Sequence, residues 1–277
     1  MRYGIVLSVT DARRCAELAA EAEAVGWDGV FTYDALAIDN LDLDDPWITL
    51  AAMAMRTSRV TLGALVFAPA RRRPWLFAKE AITLDRLSGG RLVLPVGIGT
   101  LDDHGFDAAG EPVEARARAG RLDEALAITE GLSGEAPFAF DGEHYKLAPM
   151  TLRPAAVQQP RIPVWPIGAW PHERTLQRAL RWDGMILQAP AGAAASDPAL
   201  ITQVAAWIRE HRDPADAGRP FQLIVDGVTP ADNPAAAAAT AQAAADAGAT
   251  RWIEADWSDE GKPRLSGRIA AGPPRGV

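Results

Sequence analysis

The feature that most constrains the fold is a regular alternation of short apolar runs with longer segments of helical periodicity. Eight strand-like runs are predicted, at 3–9, 28–34, 59–67, 91–99, 162–168, 183–189, 221–227 and 250–256. Helical patterns follow the first seven of them, at 12–25, 46–56, 74–87, 113–132, 171–181, 197–212 and 232–247. Crossovers of this length join parallel strands, and strands that are apolar throughout are buried on both faces of their sheet.

Eight consecutive units of this kind predict an α/β fold of the (β/α)8 TIM-barrel type. An open doubly wound sheet is the alternative if the strand count is wrong by two. A chain of 277 residues, 48% of them hydrophobic, is long enough for one barrel domain over 1–277. Two segments break the alternation: an irregular insertion rich in proline and aromatic residues at 134–160, and an irregular tail at 258–277 with at most one short helix.

Charge and composition exclude several kinds of partner. The net charge of -8 disfavours binding to nucleic acid or to an anionic membrane. No apolar run reaches the roughly 18 residues of a membrane span, and the N-terminus lacks the pattern of a signal peptide, so we expect a cytoplasmic protein. The only cysteine, Cys15, excludes an internal disulfide. The four histidines are dispersed without zinc-site spacing, so no metal centre is predicted.

In a TIM barrel the functional residues lie where strands end at their carboxyl side. The residues that the pattern places there are Ser8, Tyr33, Asp34, 65–69, 97–104, 168–170, Gln188, Asp226 and Asp256. We therefore expect the functional residues among these positions.

Two glycines end the fourth strand-like run, in the sequence "RLVLPVGIGT" (91–100). Gly97 and Gly99 do not belong to a dinucleotide fingerprint, because position 102 is Asp and the run is not the first of the fold. Glycine at a strand end allows a flat ligand to approach the backbone closely. A tight turn with no ligand is the other interpretation.

Two further groups qualify as candidates at strand ends. Gly168, Ala169 and Trp170 precede Pro171, a first helical residue, and free N–H groups at a helix start can hold a phosphate. An ordinary strand-to-helix turn explains the same residues. His104 follows the fourth strand, where it is either a general acid or base or a polar loop residue.

Several stretches, taken together, resemble the bacterial-luciferase-like family of flavin-dependent oxidoreductases. They span roughly the first two thirds of the chain. The most specific is the ordered string "TSRVTLGALVFAPARRRPWLFAKEAITLDRLSGGRLVLPVGIG" (57–99). The others are "AEAVGWDGVFTYDAL" (22–36), "RLDEALAITEGLSG" (121–134), "FDGEHYKL" (140–147), "RPAAVQQPRIPVWPIG" (153–168) and "RWDGMI" (181–186).

The resemblance implies a dimeric TIM barrel with a flavin or deazaflavin ring at the carboxyl-terminal mouth. It also implies a non-proline cis peptide near Leu65–Val66, behind the ring. Contacts to the ring and its phosphate carry over to Leu65, Val66, Ala68, Gly97, Gly99 and the backbone of Gly168, Ala169 and Trp170.

One departure affects the chemistry. Many members have Asp-His where this chain has Asp34-Ala35, and that histidine can move protons. Asp34 and His104 remain as the catalytic candidates.

The main hypothesis is a monooxygenase that uses reduced FMN, delivered by a separate flavin reductase, and O2 on a small organic substrate. One alternative is hydride transfer with coenzyme F420. Another is a flavin-binding barrel without catalysis.

Overall fold

The computed structural model describes residues 1–9, 11–39, 41–216, 218–258 and 261–275. These ranges contain ten strands and eight α-helices. The strands are β1 (Arg2–Val6), β2 (Gly29–Thr32), β3 (Thr61–Ala64), β4 (Leu94–Val96), β5 (Phe138–Asp141), β6 (Lys146–Met150), β7 (Val164–Ala169), β8 (Gly184–Gln188), β9 (Gln222–Gly227) and β10 (Arg251–Glu254). The helices are α1 (Ala12–Ala24), α2 (Pro46–Arg56), α3 (Pro74–Ser88), α4 (Ala115–Leu132), α5 (Glu173–Leu180), α6 (Pro198–His211), α7 (Pro234–Asp246) and α8 (Gly261–Ala270).

Eight of the strands form a parallel sheet in the order β3-β2-β1-β10-β9-β8-β7-β4. Its two edges meet, because Leu62 bridges to Leu92 and Phe67 bridges to Val96 in parallel register. This ring of strands, with helices outside it, confirms the predicted (β/α)8 barrel. The fourth strand is shorter than predicted.

Local sequence signals explain where the helices begin. Asp11, Asp45, Asp197 and Asn233 each accept a hydrogen bond from a backbone N–H in the first turn of the helix that follows. Proline is the first residue of α2, α6 and α7, where its missing N–H costs no hydrogen bond. No helix in the described ranges is long and apolar enough to cross a membrane.

The insertion is more ordered than predicted, whereas the described part of the tail agrees with the prediction of at most one short helix. The insertion contains an antiparallel hairpin of β5 and β6, which packs on α3 and α4 through an apolar cluster that includes Tyr145. The Glu124 carboxylate on α4 accepts the backbone N–H groups of 143, 144 and 145 at the hairpin turn. The tail contains the ten-residue helix α8, which buries Leu265 and Ile269 and packs on α1.

The barrel interior follows the two-residue period of its strands. Val6, Phe31, Val93, Trp165, Ile186, Ile224 and Ile253 form one buried cluster inside the ring. Their strand neighbours, such as Val30 and Val225, belong to the outer cluster between sheet and helices. Because side chains on a strand alternate between faces, the inward residues that follow this cluster along each strand approach the carboxyl-terminal mouth.

Candidate active site at the barrel mouth

A cavity of about 2280 Å³ opens at the carboxyl ends of the strands. Its lining includes one residue at or just beyond the carboxyl end of each of seven strands, and we call this set the floor: Ser8, Tyr33, Leu65, Gly97, Ala169, Gln188 and Asp226. These predicted strand ends therefore line one cavity. Such a mouth is where TIM-barrel enzymes carry their active sites.

The floor divides into two arcs of different polarity. The apolar arc consists of Leu65, Val66, Gly97 and Ala169, from β3, β4 and β7, which are consecutive in the sheet. The polar arc consists of Gln188, Asp226, Ser8 and Tyr33, from β8, β9, β1 and β2 on the opposite side. A ligand at the mouth therefore meets an apolar surface on one side and hydrogen-bonding groups on the other.

The peptide between Leu65 and Val66 in the apolar arc is cis, as the resemblance implies. The Val66 side chain extends towards Gly97, where an added Cβ would lie 2.9 Å from Val66 Cγ2. Leu65, Val66 and Gly97 thus form one continuous apolar surface on the cavity wall.

Gly99 is fixed by the protein itself. Its φ of 78° is left-handed, and an added Cβ would lie 2.6 Å from the Phe106 ring. Gly99 lines the cavity, whereas Ala68 lies beneath it, packed with Phe106. The glycine is therefore required by a tight turn and close packing as well as by the mouth.

The predicted phosphate-binding backbone is partly engaged. The Ala169 N–H donates to Thr175 Oγ1 and the Trp170 N–H to the Gln188 carbonyl. Of the three predicted residues only Ala169 lines the cavity, and Gly168 packs against Met185.

Free donors lie slightly further along the chain. Within the described residues, the N–H groups of Glu173 and Arg174, the first two residues of α5, have no partner, and both residues line the cavity. The signal for them is the helix start itself.

The rim beside α4 and α5 carries balanced charge. Four arginines line it (Arg116, Arg174, Arg178 and Arg181), together with four carboxylates (Glu114, Asp123, Glu143 and Glu173). Arg178 and Arg181 both pair with Asp123, at 2.6 and 3.2 Å. In the described part of the chain, Arg116 and Arg174 form no ion pair.

Asp34 anchors the backbone after β3. One of its oxygens accepts from Arg71 at 2.5 Å and from Arg72 at 2.9 Å, and the other accepts the Ala68 N–H at 2.9 Å. Arg71 also pairs with the buried Asp103 at 3.1 Å. Although Asp34 borders the cavity, its side chain has no exposed surface, so this geometry favours a positioning role over proton transfer.

His104 lies away from the cavity wall. Its ring is half-exposed and contacts the carboxylates of Asp39 and Asp107 at 3.3 Å each. Hydrogen bonding to these two carboxylates raises the pKa of His104. The structure thus does not bring the two catalytic candidates together, and His104 has the setting of a surface loop residue.

Two ionisable side chains of the polar arc have altered acidity. Burial raises the pKa of the Asp226 carboxyl, and a hydrogen bond from the Trp257 side chain opposes the shift only in part. Burial, with a smaller contribution from Cys15, raises the pKa of Tyr33. The strand ends predict both positions, but nothing in the sequence distinguishes Asp226 from the other acidic residues there.

No group of three or more His, Cys, Asp or Glu side chains within the described ranges is arranged to hold a metal ion. The apolar arc and the free N–H groups at the start of α5 are features that suit an organic ligand with a planar ring and an anionic end. The apolar arc would contact the ring, and the free N–H groups of α5 would hold the anion.

The eight-stranded barrel and the cavity at its mouth place this chain among the TIM-barrel enzymes, which bind their ligands at the carboxyl ends of the strands. Residues 2–271 match the family model described as luciferase-like monooxygenase. The chain belongs to the luciferase-like family of oxidoreductases.

Three comparisons describe its relatives. An F420-dependent glucose-6-phosphate dehydrogenase of Intrasporangium calvum is 33% identical over 159 residues, which are 52% of this chain and 45% of that protein. The coenzyme F420 dependent tetrahydromethanopterin reductase of Methanopyrus kandleri superposes with a TM-score of 0.78 at 15% identity, covering 98% of this chain and 97% of that one. A type II Baeyer-Villiger monooxygenase of Pseudomonas putida in complex with FMN superposes with a TM-score of 0.65 at 15% identity, covering 82% and 67%.

Proposed function

We propose that this chain is an oxidoreductase that binds coenzyme F420 at the barrel mouth and transfers a hydride between the deazaflavin ring and a small organic substrate. The observation that carries the proposal is the division of the cavity floor. The apolar arc suits a planar ring, and the polar arc opposite it includes Asp226, a carboxyl group able to exchange the proton that accompanies a hydride. The sequence similarity to an F420-dependent dehydrogenase supports the same cofactor.

The residues of the mouth have distinct roles in this proposal. Leu65, Val66 and Gly97 would hold one face of the ring and exclude water from it. The free N–H groups of Glu173 and Arg174 would hold the phosphate, helped by the Arg174 guanidinium. When bound, the cofactor supplies the two-electron chemistry that no side chain can supply.

FMN-dependent monooxygenation is the second candidate function. The observation that favours it is the rim, where four carboxylates offset four arginines. A balanced rim gives little attraction to the several negative charges of the F420 tail, whereas FMN carries a single phosphate. In this candidate, a separate reductase delivers the reduced FMN and O2 is the co-substrate.

A titration of the purified protein distinguishes the two candidates. Absorbance and fluorescence are followed on addition of F420, of the deazaflavin that lacks phosphate and tail, of FMN and of riboflavin. We expect F420 to bind. The truncated deazaflavin should bind at least about tenfold more weakly than F420, because it cannot form the charge-assisted hydrogen bonds to the phosphate. Binding of FMN without F420 would favour the monooxygenase instead, and binding of no ring compound would contradict both.

Replacing Arg174 tests the phosphate site. We expect R174Q to weaken F420 binding about two- to fivefold, the range of an exposed ion pair, and to leave the truncated deazaflavin unaffected. Arg209 provides the matched control, since it is an exposed arginine on α6 outside the cavity, and R209Q should bind F420 like the wild type. Equal losses for both deazaflavins would place Arg174 against the ring rather than the phosphate.

A further inference from the structure

We propose that Asp226 is the residue that donates and accepts the substrate proton in this site, acting from β9 across the cavity from the apolar arc. The inference rests on the proposed hydride-transfer function and adds the group that completes it. Neither Asp34 nor His104 is placed for this role, because Asp34 is fully engaged by the protein and His104 is outside the cavity.

The strand geometry aims Asp226 into the cavity. On β9, Ile224 belongs to the cluster inside the barrel and Val225 to the cluster outside it. The two-residue period therefore turns Asp226 inward, one layer above Ile224, and it borders the cavity. Gly227 follows, where an added Cβ would lie 2.7 Å from the Trp252 ring, so the end of β9 is held against β10.

Asp226 differs from the buried carboxylates elsewhere in the fold. Asp34, Asp85, Asp103 and Glu254 each meet an arginine or at least three N–H or O–H donors, which gives these carboxylates structural roles. Asp226 has one side-chain donor among the described residues, that of Trp257, and forms no ion pair there. A carboxyl group with so few fixed partners is free to bond to a ligand.

Of the four residues in the polar arc, Asp226 is the one suited to exchange a proton near neutral pH. Ser8 and Gln188 are not ionisable near neutral pH, and Tyr33, whose pKa is raised by burial, keeps its proton. Asp256, the charged residue after β10, accepts from the N–H and hydroxyl of Ser258. Removal from water raises the pKa of Asp226 and so shifts its titration towards neutral pH, where proton exchange is efficient.

The proton transfer balances with the proposed hydride transfer. When a carbonyl substrate is reduced, its carbon receives the hydride that the cofactor supplies, and the electron pair of the C=O π bond moves to the oxygen. That oxygen takes the proton from Asp226, which gives an alcohol and an Asp226 carboxylate, and the proton that the reduced cofactor loses together with the hydride passes to water. Water at the open mouth reprotonates the carboxylate. In the oxidative direction the carboxylate accepts the hydroxyl proton.

The first test needs no turnover. The F420-loaded protein is labelled with ¹³Cγ-aspartate and titrated by NMR. Ordinary aspartates titrate near pH 4. We expect one carboxyl resonance to titrate above this range, and we expect that resonance to be missing from the spectrum of D226N. D226N should bind F420 within about twofold of the wild type. Titration of every resonance at or below the ordinary range would overturn the proposal, as would loss of F420 binding in D226N.

The second test measures oxidation of reduced F420 by a panel of small ketones, cyclohexanone among them, without O2. We expect D226N to lose about 10²-fold or more in turnover and D226E to recover part of it. Asp232, an exposed residue of the loop after β9, is the control, and D232N should match the wild type. Unchanged turnover in D226N overturns the role of Asp226, and no turnover by the wild type overturns the carbonyl substrate. If the wild type binds no F420, the proposed function fails, and the NMR titration of the protein alone still decides whether Asp226 holds its proton.

Discussion

Replacing Asp34 with alanine is expected to destabilise the folded protein by about 3–5 kcal/mol, the loss typical of breaking a buried ion pair from one side. The substitution leaves the Arg72 guanidinium without its closest partner and the Arg71 guanidinium with Asp103 alone. It also leaves the Ala68 N–H without an acceptor. The change is measured by urea unfolding monitored with circular dichroism, in which D34A should unfold at a lower midpoint urea concentration than the wild type.

Asp42, an exposed aspartate of the loop before α2, provides the control for this prediction. D42A should alter the free energy of unfolding by no more than about 0.5 kcal/mol, because surface substitutions away from special features have small effects. A D34A protein with wild-type stability and lost turnover would contradict the positioning role. It would restore Asp34 as a catalytic candidate.

Substituting Gly99 by alanine is expected to have the second large effect, a loss of about 2–5 kcal/mol. Left-handed backbone costs an alanine about 1–2 kcal/mol, and overpacking against the Phe106 ring, 2.6 Å from the new Cβ, adds about 1–3 kcal/mol. Thermal and urea unfolding measure the loss. Reduced cofactor binding in G99A would therefore not by itself show a contact with the cofactor.

Gly110 offers a matched control for the backbone cost. Its φ of 73° is also left-handed, but nothing lies within 4 Å of an added Cβ. G110A should thus lose only the backbone contribution, about 1–2 kcal/mol. Trimming the ring in the double variant G99A/F106L should recover part of the overpacking cost. Equal losses in G99A and G110A would show that the Phe106 contact carries no energy.

Some features of the site were accessible from the sequence because they depend on local periodicity. The alternation of strand and helix patterns predicts the ring of strands, and the two-residue period predicts that residues such as Tyr33, Gln188 and Asp226 meet at one end. The cis peptide at Leu65–Val66 followed from the resemblance alone. The sequence did not predict the hairpin of β5 and β6, because its strands are short, half-exposed and packed on α3 and α4.

Other features depend on pairs of residues far apart in the chain. Asp34 and Asp226 are both aspartates at predicted strand ends, and only the family resemblance distinguishes Asp34 as a catalytic candidate. Only the folded chain brings Arg71 and Arg72 to Asp34, 37 and 38 residues away, and leaves Asp226 with a single side-chain donor in the described ranges. The two aspartates therefore have similar positions in the sequence but different electrostatic environments in the fold.

The sequence by itself determined the barrel and the end of it that carries the site, because strand and helix periods are properties of neighbouring residues. The tertiary structure decided which acidic residue faces the cavity without a cationic partner, and which backbone N–H groups stay free for an anion. These properties arise from burial and from long-range hydrogen bonds, so they exist only once β9, β10 and the start of α5 are in place.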